Sequence, residues 1–393
     1  MSRKKRRLIR IFSFAILYAV ISLSCWAQGF WKIGTRALGM GGAYVAAADD
    51  SLAAHWNPAG VSFFRRYDLS FSYGVLAQQE GELIQTLNDI IKLGIMETEA
   101  PFDEESFSSV VELLKALDQE GLNLNGHIQM GFFSSGGSWA ASMLEWKGAI
   151  IRPDVDLNNV GFNPDYSDFI KNNSSQLHFQ GIKGREYIFT LSYPIFVSQL
   201  MLGVNIKYMK INSYREDKLI FGDLEEEVVA RKLISNTFEE PLASGGGFSF
   251  DIGLLAEFPP YLRVGLVGKN FRQPTFKLDN EEELQLKAQW RSGIAITPNP
   301  STIISFDFDI IKNKWNEEGL EFRELAAGFE KWLFNYKVAI RGGGCYNIAA
   351  KEPALIYTAG GSVRMRTLFV DFAIAYQPHL NDFSFCLGSS VKF

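Results

Sequence analysis

Leu368-Phe369-Val370-Asp371-Phe372-Ala373-Ile374-Ala375-Tyr376 decides the fold of this chain. Leu368, Val370, Phe372, Ile374 and Tyr376 alternate with Phe369, Asp371, Ala373 and Ala375, so one face is greasy and the other mostly small or charged. Period two over nine residues is the pattern of a strand. Phe248 to Leu254 repeats it, with Phe248, Phe250, Ile252 and Leu254 opposite Ser249, Asp251 and Gly253. Segments of about ten residues suit tilted strands that cross a bilayer.

Alternation alone fits a soluble sandwich or a membrane barrel, and connection lengths choose between them. About 14 strands are read, beginning near Tyr67, Gly126, Ser138, Gly184, Leu200, Gly246, Leu262, Leu284, Thr302, Arg323, Tyr336, Leu355, Thr367 and Asp382. Their connections alternate between tight turns, such as Pro298-Asn299-Pro300, and long excursions, such as Glu80 to Asn125 and Arg215 to Gly245. Turns on one rim and loops on the other are expected of an outer-membrane barrel. The expected fold class is therefore all-β: an antiparallel transmembrane barrel from residue 63 to 393, with a helical extracellular insertion at 80 to 125.

The last strand places Phe383, Phe385, Leu387, Val391 and the terminal Phe393 on one face. An alternating final strand that ends in an aromatic residue resembles the signal by which the outer-membrane barrel assembly machinery selects its substrates. In the first long loop, Leu83-Ile84, Leu87 and Ile90-Ile91, then Val110-Val111, Leu113-Leu114 and Leu117, are spaced as two amphipathic helices. They read either as a lid or collector for greasy ligands or as two helices packed on each other over the barrel mouth.

With the greasy face turned to lipid, the interior receives Lys207, Asp251, Glu257, Arg263, Lys269, Lys287, Arg291, Asp307, Asp309, Glu330, Arg341 and Asp371. Each would cost roughly 2 to 4 kcal/mol in hydrocarbon, so their shared parity supports the inward assignment. Mixed signs favour a salt-bridged network that holds the barrel and its contents over a selective ion path.

At the other end of the chain, Arg3, Lys4, Lys5, Arg6, Arg7 and Arg10 precede an apolar run from Ile11 to Leu23, and Cys25-Trp26-Ala27 follows. Residues 1 to 27 thus read as a cleaved signal peptide. Ser22 stands where a lipid-anchor motif at Cys25 wants leucine, so ordinary cleavage is favoured. The net charge of −5 becomes more acidic once those basic residues leave, which argues against a nucleic-acid partner. Cys345 and Cys386 remain and imply no disulfide framework. No stretch after the signal reaches the length and apolarity of a spanning helix.

Residues 28 to 62 carry the run Gly39-Met40-Gly41-Gly42-Ala43 and then Asp49-Asp50-Ser51-Leu52 and Asn57-Pro58-Ala59-Gly60. Small residues suit a segment threaded into a confined space against a barrel wall. The glycine run lacks the preceding strand and following long helix of a nucleotide loop. These motifs resemble the start of the long-chain fatty acid transporter superfamily of outer-membrane proteins. That grouping includes type IX secretion shuttle barrels and barrels associated with conjugal transfer. Leu262-Arg263-Val264-Gly265-Leu266-Val267-Gly268-Lys269-Asn270 is similar to strands of the same superfamily.

The resemblance implies a 14-stranded barrel plugged by an N-terminal hatch. Asn57, Pro58 and Ala59 match the hatch motif, and Gly39, Gly41 and Gly42 its packing turn. In such transporters a hydrophobic molecule enters from outside, rests in apolar pockets and leaves through the wall. No ligand-binding residue carries over, and no cofactor is implied.

His55, His127, His178 and His379 lack metal-motif spacing, and no nucleophile elbow or acid–base set is present, so an enzyme is not expected. Glu225-Glu226-Glu227 and Glu281-Glu282-Glu283 read as solvated outer-loop charge. The sequence leaves two functions. One is hatch-gated diffusion of fatty-acid-like or aromatic molecules. The other is a binding or assembly role with a secretion or envelope protein, for which the acidic loops Pro153 to Lys183 and Arg215 to Gly245 offer docking surfaces.

Overall fold

The computed structural model describes residues 32–63, 67–80, 82–92, 104–118, 120–133, 138–157, 173–196, 199–221, 241–277, 283–314, 321–349, 355–378 and 382–392. The expected signal peptide, Glu225 to Glu227, Glu281, Glu282, His379 and Phe393 lie outside the described residues.

Fourteen strands close into one antiparallel barrel. In chain order they are β1 Asp68–Glu80, β2 Gly121–Phe133, β3 Trp139–Asp154, β4 Gln176–Pro194, β5 Leu200–Leu219, β6 Ala243–Phe258 and β7 Leu262–Lys269. They continue as β8 Gln289–Asn299, β9 Thr302–Asp309, β10 Glu324–Leu333, β11 Val338–Asn347, β12 Leu355–Met365, β13 Leu368–Gln377 and β14 Asp382–Lys392. β14 pairs with β13 on one side and with β1 on the other, which removes the open edges of the sheet. Among the described residues no helix is long and apolar enough to cross a membrane.

Side-chain exposure follows the alternation. On β13, Val370, Phe372 and Ile374 are exposed while Ala373 and Ala375 are buried. On β6, Phe248 and Phe250 are exposed while Ser249 and Asp251 are buried. A soluble sandwich would bury the aromatic face; here the aromatic face is outside and the polar face is the core side.

Three strand starts differ from the sequence reading. β2 begins at Gly121 rather than near Gly126, and β4 at Gln176 rather than near Gly184. β3, β4 and β5 run to 16, 19 and 20 residues, longer than a membrane crossing needs. At their outer ends the outward face turns polar, with His178 opposite Asp217 in register, while Ile151, Leu177 and Phe179 are buried on the inward face, so the lipid-facing signal fades there although the ladder continues. The strand expected near Leu284 begins at Gln289, and Leu284 belongs to a small side ladder, Thr275–Lys277 with Glu283–Gln285. Lys287 therefore lies in the connection before β8 and not on a barrel strand.

The turns also differ in chemistry. Phe334, Asn335 and Tyr336 have φ of 51, 55 and 61°, and Arg366 has 57°. Tight turns between right-twisted strands need such left-handed residues, usually Gly or Asn, yet here Phe, Tyr and Arg supply most of them.

Within the long connection after β1, two helices, Leu83–Lys92 and Glu104–Leu117, pack together. Leu83, Leu87 and Ile90, with Val110, Leu114 and Leu117, are fully buried at i, i+4, i+7 spacing. Thr86 donates to Glu120 (2.9 Å), and burial pushes the Glu120 carboxyl up from its ordinary value. The two apolar stripes thus face each other.

Candidate functional site: the N-terminal segment inside the barrel

The interior is organised around residues 32–63. α1 (Thr35–Gly39) and α2 (Ala53–Trp56) are one turn each, followed by a 3-10 helix, Pro58–Phe63. Such short helices are not stable alone. Their side chains, from Met40 and Tyr44 to Trp56 and Val61, are buried against the inner wall.

Backbone lies on backbone where the wall has glycine. Gly203 faces Gly253 across β5 and β6, Gly265 faces Gly293 across β7 and β8, and Gly328 faces Gly343 across β10 and β11. A Cβ on Gly203 would meet the Pro58 and Ala59 backbone; one on Gly328 or Gly343 would meet Met40. A Cβ on Gly265 would stand 2.9 Å from the Val45 carbonyl. Sequence reasoning missed this belt, although glycine within a strand is itself a mark of close backbone approach. From the segment's side, Gly41 has φ 68°, and a Cβ there would stand 2.6 Å from the Gly344 backbone.

The Asn-Pro-Ala-Gly motif has a concrete role. Asn57 is fully buried; its Nδ2 donates to the carbonyls of Val45 (3.1 Å) and Leu254 (3.2 Å), and its Oδ1 accepts from Ala59 N–H (3.1 Å). One amide joins two parts of the segment to the wall. Its backbone is extended, as the following proline demands. Pro58 sits in the space left by Gly253, and the Ala59 carbonyl accepts from Ser192 Oγ (3.1 Å). In the glycine run, Ala43 is buried and the Gly39 carbonyl accepts from Thr358 Oγ1 (3.2 Å).

The inward charges fall into three groups. Near the turn rim, Glu330 accepts from Arg36 through two bonds (2.8 and 2.8 Å) and from Arg341 Nε (2.7 Å). Arg341 continues to Asp371 (3.0 Å) and Ser362 (2.6 Å). Arg36 also reaches Asp49 (2.6 Å), which Arg263 approaches at 3.5 Å while also donating to Glu257 (3.1 Å).

The second group lies nearer the loops. Arg291, wholly buried, stands 3.7, 3.5 and 3.6 Å from Asp307, Asp309 and Glu324, and 5.8 Å from the Trp56 ring. Lys32 donates to Glu324 (2.7 Å), and Asp307 Oδ2 accepts from the N–H groups of Tyr44 (2.7 Å) and Val45 (2.8 Å).

The third group joins Lys207 to Asp251 (2.9 Å) and to Asn270 (2.7 Å), while Lys269 meets His55 (3.1 Å). Asn205, which sequence reasoning did not single out, donates to Asp251 (2.9 Å) and to the Ala54 carbonyl (2.7 Å). Each group therefore contains at least one contact from wall to segment.

Electrostatics in the segment follow from these partners. Burial works against ionised Lys32, yet Cys345 and Glu324 hold its ammonium above the ordinary lysine range. Burial likewise works against Asp49, but Arg36 and Arg263 outweigh it and hold the carboxyl below its ordinary value. Burial pushes the Tyr44 hydroxyl up.

Two tiers result. Beneath the segment, at the turn rim, a polar cavity of about 320 Å³ is lined by Arg36, Asp50, Asp68, Glu330, Arg341 and Asp371 among others. Towards the loops, Trp146, Ile182, Met209, Ile211, Val267, Phe276 and Leu286 form one apolar cluster with Trp56 and Ile33. Trp146 lies across Gly184 and donates to Glu186 (2.7 Å). Phe276 covers Gly245 and Gly247 from inside, so the connection between β7 and β8 folds into the lumen. No group of three metal-ligating side chains occurs among the described residues.

In the closing strand, Phe385 and Leu387 are exposed on the lipid side, Val391 is half-buried and Phe383 pairs with Tyr376 in register.

Solved structures with this architecture are known. The toluene transporter TbuX of Ralstonia pickettii matches at a TM-score of 0.53 and 14% identity, over 93% of this chain and 99% of that one. The toluene transporter TodX of P. putida matches at 0.51 and 11%, over 93% and 99%. At these identities the likeness concerns the fold, which is that of an outer-membrane barrel. No curated protein matches the sequence. A family model described as "F plasmid transfer operon, TraF, protein" matches residues 54–309, from the second half of the segment through β9. That match agrees with the conjugal-transfer branch of the resemblance carried by the N-terminal motifs, and the chain belongs to this TraF family.

Proposed function

We propose that the protein passes hydrophobic small molecules across the outer membrane, with the N-terminal segment as the hatch beneath their path. The observation that carries this reading is the apolar tier of Trp146, Met209, Ile211, Val267, Phe276 and Leu286 above the hatch. A polar solute would lose its water there without recovering hydrogen bonds, whereas an aromatic or fatty-acid-like molecule exchanges one apolar contact for another. The toluene transporters with this fold support the same solute class.

Movement of the hatch opens the way into the polar cavity at the turn rim. Uptake of radiolabelled toluene and oleate into cells that carry or lack the protein tests the reading. Equal uptake with the barrel folded in the outer membrane overturns it. Deleting Gln28 to Gly60 should raise leakage of small solutes; unchanged leakage through a folded barrel would count against the plug.

A second reading has its own observation. The hatch is held by buried ion pairs and glycine-seated backbone, which suits a barrel that remains closed and holds a secretion or envelope protein at its loops. Membership of the TraF family supports it. Cross-linking in intact cells distinguishes it: recovery of one stoichiometric protein partner supports assembly, and its repeated absence under conditions that capture known complexes weakens it. Selection by the barrel assembly machinery through Phe383, Phe385, Leu387, Val391 and Phe393 is common to both readings.

A further inference from the structure

Among the described residues, lipid-facing positions of the barrel strands carry few charges. On the same outward face as the exposed Tyr187 and Tyr208, however, and further toward the loops, stand Lys183 and Arg185 on β4 and Lys210 on β5, with Lys147 and Glu145 on β3. Arg185 pairs with Glu145 on one side and Lys210 on the other, and Lys147 pairs with Lys183. Three adjacent strands thus present four cations and one anion in two neighbouring rows, Glu145-Arg185-Lys210 and Lys147-Lys183. Glu145 takes Arg185 at 2.6 Å and Lys183 at 3.4 Å, which leaves the patch strongly positive.

Its height on the wall is informative. From the inner turns, Trp139 to Lys147 is nine residues and Leu200 to Lys210 is eleven, the length of a tilted membrane strand. Directly inside the patch, Tyr187 stacks on Tyr208 at 6.5 Å, and Tyr208 meets Phe248 at 5.0 Å. Aromatic girdles mark the membrane interface. The cations therefore stand where hydrocarbon ends, on the rim that carries the long loops.

We propose that this patch binds the phosphates of a phosphorylated glycolipid in the outer leaflet. Charge complementarity and continuity with the lipid-facing band select that occupant: the acyl chains lie on Tyr187, Phe189 and Ile206, and the phosphates meet Lys147, Lys183 and Lys210. The inference rests on the outer-membrane placement of the barrel and holds for either function above.

Binding of purified bisphosphorylated lipid A to the full barrel in neutral detergent micelles tests it, read by native mass spectrometry. The triple variant K147Q/K183Q/K210Q keeps the Arg185–Glu145 pair and is checked for its heat-modifiable folded band. Its affinity should fall about 100-fold at low salt, since each of the three basic groups near a charged lipid surface adds about fivefold. Dephosphorylated lipid A should bind wild type as weakly as the variant binds lipid A. Equal binding of lipid A by folded variant and wild type overturns the assignment, and so does equal binding of dephosphorylated lipid by wild type. Displacement of lipid A by millimolar inorganic phosphate would identify a free-phosphate site and overturn the lipid. Solute uptake is not read, so failure here and failure of transport are separable.

Discussion

Arg36 of the hatch and Glu330 of β10 are joined by two parallel hydrogen bonds, Nε to Oε2 and Nη2 to Oε1, each 2.8 Å, across 294 residues of chain. Glu330 also receives Arg341, so one wholly buried carboxylate serves two guanidinium groups. Removing one partner of a buried ion pair typically costs about 3 to 5 kcal/mol, because the other charge is left without compensation. Glu330→Ala should release α1 from the rim. Planar-bilayer recordings are expected to show larger and more frequent openings than wild type, and a quiet closed barrel would refute the clamp.

Asn57 makes three hydrogen bonds that no smaller side chain can replace. Asn57→Ala should destabilise the seated hatch by about 2 to 4 kcal/mol, from the carbonyls and N–H left in a buried place. Limited proteolysis should cut between Thr35 and Gly60 in this variant while leaving the wall intact.

Gly203 and Gly328 accept hatch backbone where any Cβ would collide with it. Gly328→Val should unseat the Met40 turn without harming strand pairing, since valine favours strands. Gly342→Val, on the same strand as Gly343 but facing the Phe329 ring, is the control. Conductance should rise in the first variant and stay at the wild-type level in the second.

Asp49 supplies the pH dependence. Its carboxyl is held below the ordinary range, so its contribution to hatch seating is fully present above the unfolded value and is lost as pH falls through the lowered folded one. Conductance should remain low through the pH range where free carboxylates titrate and rise only at more acidic pH. Asp49→Asn should show raised conductance at neutral pH and a flatter acid limb. A wild-type rise centred on the ordinary carboxylate range would contradict the assignment.

The barrel was legible because lipid imposes period two on each crossing, as at Val370, Phe372 and Ile374, and because turns and loops alternate by rim. The outer ends of β3 to β5 were not, since outside the bilayer the outward face need not be apolar. Lys207, Asp251, Arg291 and Asp307 could be placed on the inner face by parity. Their partners could not, because pairs such as Lys32 with Glu324 or Arg36 with Glu330 depend on how the segment threads the lumen. The wall glycines carried a readable signal, each being a strand interior without a side chain.

The position of the hatch also sets an order of events during biogenesis. Residues 32–63 precede every strand of the wall in the chain, yet part of their seating lies far along it, on β10, β11 and β12. Contacts so distant along the chain form late, after the entropy of the intervening loop has been met. Full seating of the hatch therefore waits until β10, β11 and β12 have joined the wall, so that the pore is sealed only after most of the barrel exists.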